Sequence, residues 1–483
     1  MKKAYIECSI IFMNVWTVAI AQPLKIQDKP NIIVILTDDQ GYADVGYQEF
    51  PASKEVLTPN LDELAKTGMI FQNGYVASST CGPSRSSLLT GRSSSRFGVE
   101  DNNTWPDDNS GPPPDEILIP KIISEYGYIS AAFGKWHLGE LEGMNPKDRG
   151  FDYYWGGRGG SGDYFFKKNP QPPCWNSGKS ADEAYMTDAT TDEAIAFIEN
   201  NHERPFFAYI AYNAPHSPFE TKRQLVERVV DERPQFSNAY ERMKTEKDKW
   251  DGENYDFGPF KGLNLDMEIL RLVYISMLMA VDDGVGEIVE TLEKYGIREN
   301  TLIFYLSDNG AALSRPNDLG GVNLPLRSGK GSVYDGGVRV PFVMNWPGII
   351  KPLWNSDLIV SSMDIFTTSI ELAGGEIPKD RIIDGVNLIP YITGEKQGQP
   401  HDYLFFRRKA RNSWSIRKGD MKWVYNEKDK DAEPEGGGLY NIQLNVSEYI
   451  DLSQKFPEQK EELKNLFYQI TKDFPEPRNQ HDE

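Results

Sequence analysis

Two adjacent carboxylates, Asp38 and Asp39, close the run Asn31-Ile-Ile-Val-Ile-Leu-Thr37. An unbroken β-branched run of this length has the pattern of a strand buried on both faces. Side-by-side carboxylates at its exit repel each other unless a cation neutralises them, and a hard divalent ion with oxygen ligands is the simplest remedy. The alternative is that one Asp caps the following turn. Residues 301 to 307 repeat the pattern and end in Asp308-Asn309-Gly310, whose carboxylate and amide oxygens also suit a hard cation. Between them lies Cys81-Gly82-Pro83-Ser84-Arg85, then Ser-Ser-Leu-Leu-Thr-Gly91-Arg92. This reads as a short helix starting near Pro83 and stopping at Gly91. Its first amides would face Cys81 and make a seat for an anion. A reactive side chain there, with Arg85 four residues on, suits an oxyanionic group under attack; a packed Cys at a helix start is the equal alternative.

Three more segments carry candidates. Gly134-Lys135-Trp136-His137-Leu138-Gly139 places Lys135 and His137 two apart, on one side of an extended segment. An apolar strand over 205 to 212 delivers Asn213-Ala214-Pro215-His216. The Gly-rich loop 326 to 332 carries Lys330 and reads as flexible. With only five His in the chain, His137 and His216 both stand at strand exits.

The elements that must hold these residues alternate. A capped helix opens at Thr58-Pro59 and ends at Gly68, and a strand over 70 to 76 leads into the Cys81 segment. Residues 101 to 115 read as a polar loop, 117 to 126 as helix and 128 to 133 as strand. A Gly-, Pro- and aromatic-rich loop over 156 to 178 is expected to shape a cleft. Helices follow at 181 to 200 and 265 to 295, separated by a charged surface excursion over 220 to 262. Past residue 401 the texture changes to short strands at 403 to 406, 413 to 417 and 421 to 425, then Leu439-Tyr440-Asn441 and a helix over 457 to 474. The fold class is therefore α/β, with a small C-terminal antiparallel sheet and helix. The cluster Arg407, Arg408, Lys409 and Arg411 is unusual in so acidic a chain; it is either a solvated edge or a reach toward an anionic substrate.

Bulk properties narrow the partners. The 483 residues carry a formal charge of −20, which argues against nonspecific binding to nucleic acid or anionic membranes. Lys2, Lys3, an apolar run from 10 to 20 and Ala19-Ile20-Ala21 match a secretory signal peptide over 1 to 21. That run is short for a membrane span, and no later stretch is long and apolar enough. Export to the periplasm or beyond is expected, with a catalytic domain over 22 to 400 and a small subdomain over 401 to 483. Removal of the leader takes Cys8 and leaves Cys81 and Cys174.

Taken together the motifs resemble the sulfatase family. Cys81-Gly82-Pro83-Ser84-Arg85 with Leu89-Thr90-Gly91-Arg92 is similar to the signature Cys-x-Pro-Ser-Arg…Leu-Thr-Gly-Arg, and the blocks at Asp38-Asp39, Lys135 to His137, His216, Asp308-Asn309 and Lys330 follow in the family's order. The resemblance implies an alkaline-phosphatase-like fold with a large mixed sheet between helices. It implies that a formylglycine-generating or anaerobic maturation enzyme oxidises Cys81 to formylglycine (3-oxoalanine), whose gem-diol attacks the sulfur of a sulfate ester. It further implies one Ca2+ held by Asp38, Asp39, Asp308, Asn309 and the modified Cys81. Positive charge from Lys135, Lys330 and Arg85 would steady the sulfuryl oxygens, His216 with Lys330 would protonate the leaving alkoxide, and His137 would take the proton that frees the sulfate. A sulfated saccharide or polysaccharide fragment is the expected substrate. The rival readings are a phosphodiesterase or phosphonate monoester hydrolase on the same fold, and a secreted glycan-binding homologue without catalysis.

Overall fold

The computed structural model describes residues 29–102, 111–165, 185–246, 254–256, 266–314, 317–427 and 437–478. The expected leader, Cys8 and Cys174 lie outside these residues. Among the described residues no helix is long and apolar enough to cross a membrane.

The apolar runs do become the interior of one eight-stranded sheet. Its strands are β1 (Asn31–Thr37), β2 (Met69–Tyr75), β3 (Ile129–Gly134), β4 (Tyr153–Trp155), β5 (Phe206–Ala211), β6 (Thr301–Ser307), β7 (Phe342–Asn345) and β8 (Leu353–Ser361). The order across the sheet is β8-β2-β7-β6-β1-β5-β3-β4. Strand β1 pairs in parallel with β5 and β6, Val34 standing between Tyr209 and Phe304. Strand β7 is antiparallel to both β2 and β6, which makes the sheet mixed and turns β2 the same way as β1. The carboxyl ends of β2, β6, β1, β5 and β3 therefore share one edge, where ligands gather in open α/β sheets.

Successive residues feed opposite faces. Ile33, Ile35, Phe133, Ile210 and Tyr305 join one apolar cluster, while Ile32, Val34, Leu36, Tyr209 and Phe304 join the other. Helices α1 (Pro59–Lys66), α2 (Cys81–Thr90), α3 (Met186–Asn201), α4 (Met267–Lys294) and α5 (Asp364–Leu372) complete the layers. Faces covered on both sides are why these strands read as continuous apolar runs rather than alternating ones.

Several local expectations change. Thr58 does sit at the N-cap of α1, but its hydroxyl accepts from Gly46 N–H and donates to Asp62. The first amides of α1, from Asn60 and Leu61, are satisfied instead by the Asp282 carboxylate of α4. The charged stretch after 220 carries local helix, at Arg223–Glu232 and Ser237–Met243, but is not confined to the surface: Leu225, Val226, Val229, Phe236 and Met243 are buried in the main core. Its helices are amphipathic, so polar residues dominate the composition while one stripe packs.

Past the main sheet, β9 (Leu404–Arg408), β10 (Ser413–Lys418), β11 (Met421–Asn426) and β12 (Gly438–Asn441) form an antiparallel sheet in that order. Helix α6 (Pro457–Thr471) covers it, with Leu463 and Phe467 packed on Ile416 and Trp423.

Candidate active site

Helix α2 begins at Cys81 itself, two residues earlier than expected, and all ten of its residues are buried. It stops at Gly91, whose φ of 67° is left-handed and where a Cβ would stand 2.5 Å from the Phe366 ring. The expected anion seat is partly filled: Gly82 N–H donates to Asn102 Oδ1 at 2.9 Å. Asn102 stands in the loop read only as polar, and its role was invisible because a cap from twenty residues away leaves no local signature.

The strand exits are tied to one another. Asp38 N–H donates to Ala214 O, Asp308 N–H to Thr37 O, and Lys135 N–H to Ala211 O. Their side chains then converge. Cys81 Sγ lies 3.5 Å from Asp38 Oδ1, and Lys135 Nζ lies 2.5 Å from Asp38 Oδ2. Arg85 donates through Nε to Asp308 Oδ2 at 2.9 Å and through Nη1 to the carbonyl of Lys135. Lys330 Nζ reaches both oxygens of Asp39, at 2.7 and 2.9 Å. His216 Nε2 stands 3.6 Å from Asp39, while its Nδ1 meets the Ser217 carbonyl at 2.5 Å. Asp38, Asp39, Cys81, Arg85, Lys135, His216, Asp308 and Lys330 thus meet at one edge of the sheet.

Two premises behind that expectation are corrected. His137 has a φ of 55°, so residues 134 to 139 turn sharply rather than extend; Lys135 and His137 meet the site through the turn, not through strand alternation. The Lys330 loop is tied, with Lys330 N–H on Ala311 O and Gly331 N–H on Ser79 O. The loop read over 156 to 178 lies outside the described residues from 166 on; its described part approaches His137 at Gly160, where a Cβ would stand 2.6 Å from His137 Nε2.

Burial and charge set the protonation states. Burial pushes the Cys81 thiol up to about 12 despite Lys135 and Lys330, so the side chain is no thiolate. For Asp39, burial opposes ionisation, but the Lys330 ammonium holds the carboxyl down at about 2. Burial and the Asp38 charge push Asp308 up to about 6, against Arg85 and Lys135. Burial, then Lys330, brings His216 down to about 3, so the contact with Asp39 is not an ion pair. Burial and the surrounding cations likewise keep His137 neutral, and its Nδ1 is buried without a partner. Lys330 stays charged: burial is outweighed by Asp39 and its neighbours.

This donor set fits a hard cation. Ligand atoms of Asp38, Asp39, Cys81 and His216 lie within 4.8 Å of one another. Asn309 donates its amide to Asp39 Oδ1 at 2.7 Å, which leaves its own buried Oδ1 without a donor. An orphaned amide oxygen beside crowded carboxylates is the chemistry a Ca2+ ion satisfies. Three carboxylates (Asp38, Asp39, Asp308) already face three cations (Arg85, Lys135, Lys330). A divalent ion added to that balance makes the site positive, as an anionic ester requires.

The sulfatase family model matches residues 30–375. The chain belongs to the sulfatase family. A second model, described as the C-terminal part of N-sulphoglucosamine sulphohydrolase, matches residues 329–471. The chain is 34% identical over 417 residues to N-acetylgalactosamine-6-sulfatase of Mus musculus, covering 81% of this chain and 71% of that one. It is 31% identical to arylsulfatase A of Bos taurus, covering 84% and 76%. Among solved structures, Ps i-CgsB in complex with k-i-k-neocarrahexaose is 32% identical with a TM-score of 0.77, over 94% of this chain and 95% of that one. The protein is a sulfuric ester hydrolase on the family's mixed α/β fold. The rival reading of a homologue without catalysis falls.

Proposed function

We propose that this sulfatase removes sulfate from a saccharide or polysaccharide fragment, with residue 81 carrying the nucleophile. The observation that supports the site assignment is the convergence of Cys81, Arg85, Lys135, His137, His216 and Lys330 on the Asp38–Asp39 exit of β1. The saccharide reading rests on relatives: one is named N-acetylgalactosamine-6-sulfatase, and another was solved in complex with k-i-k-neocarrahexaose.

A thiol held at about 12 is a poor nucleophile at neutral pH, which favours residue 81 acting in its oxidised form. The hydrated aldehyde of formylglycine supplies one hydroxyl for attack and a second whose deprotonation releases sulfate. Cys81 is only 1% exposed, so the maturation enzyme must reach it before the chain folds, as export of an unfolded chain would allow. Asp38, Asp39, Asp308, Asn309 and residue 81 would hold a Ca2+ ion, which would supply positive charge to the sulfuryl oxygens.

The chain's own groups divide the remaining work. Arg85, fixed by Asp308 and the Lys135 carbonyl, orients residue 81. Lys135 and Lys330 add charge where the ester's oxygens become more negative. Lys330 stays protonated and can donate directly. His216 shows its Nδ1 to a carbonyl, so its neutral form carries the proton there and must gain one at Nε2 before donating. An incoming sulfate monoanion favours that uptake. His137, neutral and with an unpartnered Nδ1, is suited to accept the proton that frees the enzyme.

Purified enzyme assayed on an aryl sulfate and an aryl phosphodiester, then on defined sulfated oligosaccharides, tests this. Preference for the sulfate and release from at least one oligosaccharide are expected. Preference for the diester would sink the assignment, and activity on aryl sulfate alone would sink the saccharide part.

A further inference from the structure

The basic run at the end of β9 is absorbed by neither the fold nor the proposed chemistry, and it lies against two segments that hold the site. Arg407 Nε is 3.3 Å from Glu100 Oε1, and Lys409 N–H donates to Glu100 Oε2 at 2.7 Å. Between them Arg408 Nη2 donates to Asp101 Oδ2 at 2.6 Å, and Asp101 Oδ1 accepts from Asn102 N–H at 3.0 Å. Asn102 in turn accepts from Gly82 N–H, the amide next to Cys81. The second arm of the same guanidinium, Nη1, donates to the carbonyl of Gly331, the neighbour of Lys330. Gly331 has a φ of 83°, a left-handed conformation that favours glycine, and a Cβ there would stand 3.1 Å from Arg408 Nη1.

We infer that Arg408 is a positioning residue: one guanidinium braces the Asp101–Asn102 cap of the Cys81 helix and the Lys330 loop together. The inference rests on the roles proposed for residues 81 and 330. Arg suits the task because its planar fork holds two acceptors in fixed directions, which Lys cannot do. Its two arms hold Asp101 and Gly331, and its Nε is buried, which fixes the plane of the group between those two segments. Residues 407 to 409 thus clasp Glu100 and Asp101, while Arg411 stays exposed. Gly331 N–H on Ser79 O closes the loop of contacts, because Ser79 lies two residues before Cys81.

Misplacement by a fraction of an ångström lowers kcat without touching the substrate's binding groups. Matured wild type, Arg408→Met, Asp101→Asn and the exposed-site control Arg411→Ala are compared on an aryl sulfate and on a sulfated saccharide that the wild type turns over. Formylglycine content is measured in each preparation. Arg408→Met is expected to lose about tenfold or more in kcat, equally on both substrates and with KM within about twofold. Asp101→Asn, which keeps the shape, loses about threefold to tenfold by the same route, and Arg411→Ala is unchanged. A loss confined to the saccharide would make Arg408 a substrate contact and overturn the inference. So would a fall in melting temperature with kcat per folded, matured molecule unchanged. If Arg408→Met does not fold, full kcat in Asp101→Asn overturns it by itself. An inactive wild type carrying no aldehyde would strike the proposed function instead.

Discussion

At the scale of single residues, the site's charges decide what each group can do. Cys81→Ala removes the precursor of the nucleophile from a helix whose neighbours are otherwise unaltered. It is expected to lower turnover at least ~10³-fold with an unchanged circular dichroism spectrum. His216→Ala should act through the leaving group. The expected loss is about 10²-fold on poor leaving groups and less than ~10-fold on good ones. Equal losses across an aryl sulfate series, plotted against leaving-group pKa, would contradict the donor role. Removing Ca2+ with a chelator should abolish activity and lower the melting temperature, and added Ca2+ should restore both. The amide oxygen of Asn309 is the local reason, since nothing else among the described residues satisfies it. His216 and Asn309 were legible in the sequence because each follows an apolar strand, and Cys81 because it opens a short Pro- and Gly-bounded helix. Asn102 was not, and Arg408 stood out only as part of a basic cluster without a role, because their partners lie 20 and 307 positions away.

At the scale of elements, the strands announced themselves and their order did not. A run such as Ile32 to Leu36 states that both faces are covered, but says nothing of β7 lying between β2 and β6. That antiparallel insertion is set by chain crossovers, not by local propensity. The turn at Gly134 and His137 was equally opaque, since a left-handed His has no compositional mark. Helix α5 offers a test away from the site. His401 Nε2 bridges both oxygens of Asp364, which also accept from Ser361 and Val386 amides. Burial alone would lower the His401 pKa, but Asp364 outweighs it and raises the value above 6.5. A raised folded-state pKa means the pair's stabilisation is complete below the unfolded value and fades as pH rises through the folded one. His401→Gln should therefore cost about 2 kcal/mol at pH 6 and distinctly less at pH 9. Thermal unfolding of both forms at the two pH values checks this; a cost growing with pH would contradict it.

At the scale of the whole molecule, the small sheet is fastened by charge as much as by packing. Lys422 of β11 is fully buried between Asp335, at 2.7 Å, and Glu448, at 2.9 Å. Asp335 follows the Lys330 loop, and Arg327 at that loop's start donates to the Glu448 carbonyl. Lys422→Met leaves the buried Glu448 carboxylate without its cation and Asp335 with Arg339 at 3.4 Å, and should cost about 3–5 kcal/mol. Calorimetry should also show both sheets of the wild type unfolding in one transition; two separate transitions would mean that the contacts do not couple them. The sequence showed where the texture changes, near residue 401, but not this seam, because Lys422 reads as an ordinary polar position of an edge-like strand.

The most direct measurement is a mass spectrum of the peptide spanning Cys81 from fully active enzyme. The expected mass is that of an aldehyde at residue 81, one sulfur and two hydrogens lost and one oxygen gained. An intact thiol in enzyme of full activity would contradict the account.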